Sequence, residues 1–234
     1  MGVPKGPPTR HDPAMNEHAD LLARLARIDT THLADADKSL RAMDPGLRPV
    51  RNGLKFVGRA VTVRCCEDFL GVIAGLSAAC AGDVLVVDTQ GSRRAVLGEL
   101  FSLEARRKGL AGIVVDGLVR DTNTIRGLEL PVWARGSCPQ AGTTNRRFEL
   151  QVPVPCGGVI VAPGDLVFGD DDGLLVASPA EAAAALPQAE AIAAREAQLI
   201  ARLEAGAALG DLVNAAEHLA NIEAGRPSAL RFEL

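Results

Sequence analysis

Apolar positions along this chain recur at two different periods, and the switch between them outlines the fold. From Met15 to Ile28, the residues Leu21, Leu22, Leu25 and Ile28 keep the spacing of one helical face. Thr30 and Thr31 can cap a second short helix running to about Leu40. A loop rich in Pro, Gly and Arg follows, over Asp44–Leu54, and Phe56–Cys65 reads as a strand. Phe69, Val72, Ile73, Leu76 and Cys80 return to helical spacing before the buried-looking strand Val84–Asp88. A loop to Arg94 leads into a helix expected over Ala95–Lys108, closed by Gly109, and Gly112–Val115 gives the next strand. Strand, helix, strand, helix, strand in that order argues for a parallel α/β sheet.

After Arg126 the texture changes. Short apolar runs at Pro131–Ala134, Gly158–Ala162, Leu166–Phe168 and Leu174–Ala177 predict return strands, with Asp170-Asp171-Asp172-Gly173 an acidic turn between two of them. Ser178-Pro179-Ala180-Glu181 is a helix start with its cap, first-turn proline and acid in place. Pro187 is expected to end or kink that helix, with a longer helix over Gln188–Glu204 and a short one near Leu209–Ala224. No internal repeat is visible. The expected organisation is a flexible leader over 1–14, one α/β domain over 15–205 and a C-terminal helical extension over 206–234.

Composition narrows the functional classes. The chain has 234 residues, with 25 basic against 29 acidic side chains and 47% hydrophobic content, so it encodes a folded core rather than a basic nucleic-acid surface. Aromatics are 3%, with one Trp and no Tyr, which leaves few stacking platforms and no phenol. Five cysteines without a C-x-x-C pair fit a reducing, cytoplasmic setting, and neither a signal peptide nor a membrane span is evident. Phosphate loops, dinucleotide fingerprints, H-E-x-x-H and the serine elbow are all missing. The four histidines lie toward the two ends and read as surface residues, and no lysine sits where a desolvated pocket is expected.

Two strand ends hold what chemistry remains, where open α/β sheets place their sites. One is Val87-Asp88-Thr89-Gln90-Gly91-Ser92, leading to the helix with Gly98, Glu99, Leu100 and Phe101; the other is Val115-Asp116-Gly117-Leu118-Val119-Arg120-Asp121. Together they offer amides at a helix start, a guanidinium and carboxylates, a set suited to a carboxylate-bearing substrate with a divalent metal. The plainer reading of Arg120 and Asp121 is a surface pair or a helix cap. On the last long helix, Glu196 falls within the apolar stripe of Ala189, Ile192, Ala193, Leu199, Ile200 and Leu203. A carboxylate there is paired, bound to metal, set at a subunit boundary, or else reaches solvent over a shallow stripe.

These segments also carry a family resemblance. Gly82–Asp88, Leu97-Gly98-Glu99-Leu100, Gly112–Asp121 with its Gly-Leu-Val-Arg-Asp stretch, Gly157-Gly158-Val159 and Gly164–Val176 resemble the RraA-like family, which includes the class II HMG/CHA aldolases. The resemblance implies a swivelling β/β/α domain with N- and C-terminal helices, assembled as trimers or hexamers with intersubunit sites. It implies a Mg²⁺ or Mn²⁺ ion, with Asp121 the direct ligand, Glu99 acting through water, and Glu196 of a neighbouring subunit also acting through water. Arg120 would hold the substrate's keto and carboxylate oxygens. Gly98 and the amides of Leu100 and Phe101 would receive the pyruvyl carboxylate. The expected activity is pyruvate release from a 4-hydroxy-2-oxo acid by retro-aldol cleavage, or oxaloacetate decarboxylation. The alternative, also within the family, is a non-catalytic regulator that binds a protein such as a ribonuclease. Two positions depart from the aldolase pattern: Thr124 stands where an acid is usual, and Phe69 follows Asp68 where relatives read Asp-Asn.

Overall fold

The computed structural model describes residues 13–232, so the leader expected over 1–14 lies, up to residue 12, outside the described residues. In chain order the first elements are α1 (Pro13–Leu25), α2 (Thr30–Ala36), β1 (Arg41–Ala42), β2 (Arg48–Pro49), β3 (Phe56–Arg64), α3 (Leu70–Ala78) and β4 (Val84–Asp88). Next come β5 (Ala95–Leu97), α4 (Glu99–Lys108), β6 (Gly112–Val119), α5 (Thr122–Gly127) and β7 (Val132–Ser137). The remainder comprises β8 (Glu149–Leu150), β9 (Val154–Cys156), β10 (Val159–Val161), β11 (Leu166–Asp170), β12 (Gly173–Ala177), α6 (Pro179–Glu204) and α7 (Ala215–Glu223). The chain divides into two compact units, one ending at Leu186 and one beginning at Pro187. None of the described helices is long and apolar enough to cross a membrane.

The mixed α/β architecture expected from the sequence is present in the first unit. Its large sheet runs β1-β12-β11-β3-β4-β6-β7-β2, with β5 added to β6 and β8 to β3. The centre is parallel, Ala60 facing Val84 and Val84 facing Gly112, while β11 and β12 return antiparallel beside β3. In β4 every residue is buried, because both faces are covered. Leu85 and Val87 pack into a cluster with Val63, Val72, Leu76 and Ile113 on the helical side. Val84 and Val86 point the other way, toward Trp133, Val154, Val161 and Val167.

One irregularity in β6 positions everything that follows. The strand pairs with β4 as far as Asp116, then shifts register and pairs with β5, Leu118 facing Ala95 and Val119 facing Leu97. Gly117 sits at the shift because any Cβ there would run into Thr89, whose hydroxyl donates to the Asp116 carbonyl at 2.6 Å. The Asp116 carboxylate fixes the bend by accepting from Arg135 Nε at 2.7 Å and the Gly157 amide at 2.7 Å.

The structure corrects several expectations. Ala95–Leu97 is a strand rather than the start of a helix, since its three buried residues extend the sheet beyond the bulge; the helix begins only at Glu99. Asp29, not Thr30 or Thr31, caps α2, and Thr30 instead donates its amide and hydroxyl to buried Asp170 at 2.8 and 2.6 Å. The acidic turn therefore also anchors a helix. Pro187 does not end α6, which runs on through it to Glu204. The carbonyl it orphans belongs to Ala183, which is exposed and open to water, so the cost is limited. Helix α5 escaped sequence reading because its six residues carry no apolar period.

A buried carboxylate ties the 143–146 loop to the start of α3. Asp68 is 0% exposed. It accepts from the Leu70 amide at 2.8 Å, the Asn145 amide at 2.7 Å, the Arg146 amide at 2.9 Å and the Thr143 hydroxyl at 3.1 Å. Burial, the largest single influence, pushes its carboxyl up, but the three amides and the hydroxyl together outweigh burial and hold it below its ordinary value. A depressed folded-state value means the contribution is present above about pH 4 and lost as pH falls through the folded value. Asp68→Ala should cost about 3 kcal/mol or more in chemical denaturation, leaving three amides without an acceptor. Asp68→Asn should flatten the acid side of the stability–pH curve; an unchanged curve would contradict the clamp.

Candidate active site

Two chain turns meet at the carboxyl end of β5 and β6. The first is Gly98-Glu99, where β5 gives way to α4. Glu99 opens that helix, Arg106, Arg107 and Lys108 close it, and Gly109 ends it in left-handed conformation at φ 74°, an arrangement aligned with the helix dipole. The second is Arg120-Asp121, where β6 gives way to α5. Asp121 takes φ 57° and ψ 35°, a left-handed conformation that Asp tolerates better than most residues. The Arg120 amide donates to the Leu97 carbonyl at 2.9 Å, which holds the two turns together.

Their side chains interlock. Asp121 Oδ2 accepts from the Glu99 amide at 3.1 Å and lies 3.5 Å from Arg120 Nε. Gly98 is what permits this approach: a Cβ there would stand 2.6 Å from Asp121 Oδ2 and 3.0 Å from Arg120 Cγ. Thr124, one turn into α5, donates its hydroxyl to Glu99 Oε2 at 3.3 Å. The residue that departs from the aldolase pattern therefore steadies the second carboxylate. Asp121 Oδ1, Glu99 Oε1 and the Arg120 Nη atoms have no protein partner among the described residues, and neither do the amides of Leu100 and Phe101.

These groups border one cavity of about 230 Å³. Gly98, Glu99, Arg120 and Asp121 form its polar end. Leu97, Leu100 and Phe101 continue it, and Phe69, Ile73 and Ala141 close the far wall. Phe69 and Ala141 reach the cavity from distant segments, Phe69 at the start of α3 and Ala141 through bridges to Ala95 that depend on the loop Asp68 fixes. Sequence reading singled out Gly98, Glu99, Leu100, Phe101, Arg120 and Asp121, and all six line this cavity. It did not assign Ile73, Ala95, Val96 or Ala141 to a site, having read Ile73 and Phe69 as a helix face and Phe69 also as a departure from the aldolase pattern. Glu196 lies in the second unit and is exposed, as are Ile200 and Leu203, while Ala189 and Leu199 of the same stripe are buried, so the stripe is covered only in part.

The donor set suits a hard, hydrated cation. No group of three or more His, Cys, Asp or Glu side chains able to hold a metal is gathered among the described residues. Two adjacent carboxylates with unpartnered oxygens, Asp121 and Glu99, nevertheless match the way Mg²⁺ binds, through one or two carboxylates with waters and substrate completing its shell. An arrangement of free helix-start amides, a guanidinium and two carboxylates can receive an anion and counter negative charge developing beside it.

The sequence profile of the RraA-like family (Aldolase/RraA) matches residues 30–176, a span that contains every one of those six positions. A Halalkalibacterium halodurans protein, named as a candidate 4-hydroxy-4-methyl-2-oxoglutarate aldolase, is 35% identical over 159 residues, or 67% of this chain and 76% of its own length. Among solved structures, Streptomyces coelicolor RraAS2, described as an unusual member of the RNase ES inhibitor RraA protein family, is 32% identical with a TM-score of 0.67, covering 84% of this chain and 99% of that one. The RNA-processing inhibitor RraA from Thermus thermophilis is 36% identical with a TM-score of 0.60, covering 63% of this chain and 90% of that one.

Proposed function

The chain belongs to the RraA-like family, Aldolase/RraA, and we propose that within it the protein is a divalent-metal-dependent lyase that releases pyruvate from a 4-hydroxy-2-oxo acid and decarboxylates oxaloacetate. The observation that carries this reading is the convergence of the unpartnered Leu100 and Phe101 amides, the Arg120 guanidinium and the Asp121–Glu99 carboxylates on one cavity. Its relatives carry names from both branches of the family, aldolase and ribonuclease regulator, so chemistry rather than kinship has to favour one.

The pyruvyl carboxylate sits on the amides of Leu100 and Phe101, at the positive end of α4. Arg120 directs its Nη donors at the 2-oxo oxygen, where negative charge grows as the bond breaks. A Mg²⁺ or Mn²⁺ ion held by Asp121, with Glu99 beside it, would supply Lewis-acid charge withdrawal. Glu99 Oε1, the oxygen that Thr124 leaves open, receives the proton of the C4 hydroxyl. The C3–C4 bond then breaks, its electron pair forming the pyruvate enolate while C4 becomes a carbonyl, and protonation at C3 gives pyruvate. In oxaloacetate the departing group is carbon dioxide and the enolate is the same.

Glu196 enters from a neighbouring subunit of a trimer or hexamer. Its support is an exposed carboxylate beside exposed apolar residues, Ile200 and Leu203, on a helix whose surface suits burial against another copy. Five free cysteines fit a reducing, cytoplasmic setting for the enzyme. The second reading, a non-catalytic partner of a ribonuclease, draws on the inhibitor names that its solved relatives carry.

Purified protein should release pyruvate from oxaloacetate above the metal-only background, and EDTA should abolish the release; no enzyme-dependent release would favour the ribonuclease partner. Asp121→Asn keeps a side chain suited to the left-handed turn and should lower turnover by about 10²-fold or more. Arg120→Lys should be similarly impaired, because a point charge does not reproduce the planar fork. Glu196→Gln should also be weak, and mixing it with Asp121→Asn under subunit exchange should restore activity through hybrid sites. Mixtures no more active than their components would remove Glu196 from a shared site.

A further inference from the structure

The cavity is chemically one-sided, and the side away from the carboxylates speaks to the substrate. Phe69 and Phe101 stand with ring centroids 5.5 Å apart and planes tilted by 54°, an aromatic wall facing the space beyond the polar end. Ile73, 41% exposed, and Leu100, 74% exposed, extend that wall to the rim. Arg120 is the one cationic side chain lining the cavity among the described residues, and it already faces Asp121. Arg64 is paired with Asp88 and Glu149 and Arg146 with Glu67, while Arg94, outside the lining, rests its Nη1 on the Ala141 carbonyl at 3.4 Å.

We propose that the half of the substrate released as the carbonyl product is apolar: the protein acts on 4-hydroxy-2-oxo acids bearing an alkyl or aryl group at C4, in preference to diacids with a second carboxylate there. The inference rests on the lyase reading and goes beyond it by naming the substrate class. With the pyruvyl carboxylate on the Leu100 and Phe101 amides, C4 and its substituent extend along the Phe69–Phe101 wall. A carboxylate placed there loses water and meets no cationic side chain of this chain's lining other than Arg120, a costly exchange. An alkyl or aryl group gains contact and buries apolar surface on both partners. Another cleft, lined by Thr122, Ser137, Cys138 and Pro139, shares Arg120 and Asp121 with this cavity, but Leu100 and Phe101 do not line it.

The test compares kcat/KM for pyruvate release from two substrates identical through C3, one with ethyl or phenyl at C4 and one with carboxylate, using the intact protein and Mg²⁺. The apolar substrate should be favoured on the order of tenfold or more. Phe69→Asn should narrow that ratio, and Phe69→Leu should preserve it. Ile73→Arg, at the exposed rim where folding is not at risk, should move the preference toward the diacid. Equal or better use of the diacid by the unmodified protein, with oxaloacetate still yielding pyruvate, would overturn this inference and leave the lyase standing. So would activity on oxaloacetate with neither hydroxy acid cleaved. Silence on every substrate, oxaloacetate included, would overturn both.

Discussion

The close approach of Gly98 to Asp121 is the contact on which the rest of the site depends. It brings the start of α4 and the end of β6 to within one hydrogen bond, Glu99 amide to Asp121 carboxylate, and only a residue without a Cβ allows it. The approach is prepared further back, where β6 leaves β4 at Asp116-Gly117 and takes up β5 instead. Without that change of partner, Arg120 and Asp121 would follow β4 toward Asp88 and Thr89. They would then stand apart from the free amides of α4. The bulge and the glycine contact are thus two halves of one device, which converts a regular parallel sheet into a place where two turns face each other.

Charge at the meeting point is divided with little redundancy. Asp121 spends one oxygen on the Glu99 amide and Arg120, and Glu99 spends one on Thr124, so each retains an open oxygen. Arg120 retains its terminal donors, and the first turn of α4 retains two amides. The groups are exposed enough to exchange water and fixed enough by the backbone to keep their spacing, a combination that favours ligand binding over static ion pairing. Beyond them the rest of the lining is apolar.

Much of this was legible in the sequence, because the central strands and the helix start announce themselves locally. Continuous apolar runs mark β4 and β6 as strands buried on both faces, and Gly109 marks the end of α4. The six lining positions singled out from sequence fall at two adjacent strand ends, where an α/β sheet gathers its chemistry. What stayed hidden was set by tertiary contacts. Ala95–Leu97 has the composition of a helix start and becomes a strand only because β6 offers it an edge. Thr124 reads as a missing acid until its hydroxyl is seen on Glu99. Phe69 and Ala141 join the cavity through Asp68, whose buried hydrogen bonds span more than seventy residues of sequence and leave no periodic trace.

The most direct test of the account is a crystal structure grown with Mn²⁺ and a non-reacting pyruvate analogue such as oxalate, with the metal located by its anomalous signal. The account predicts the metal beside Asp121 Oδ1 and the analogue's carboxylate on the Leu100 and Phe101 amides, within reach of Arg120. A metal and analogue bound elsewhere, or a cavity filled only by solvent at saturating concentrations of both, would contradict it.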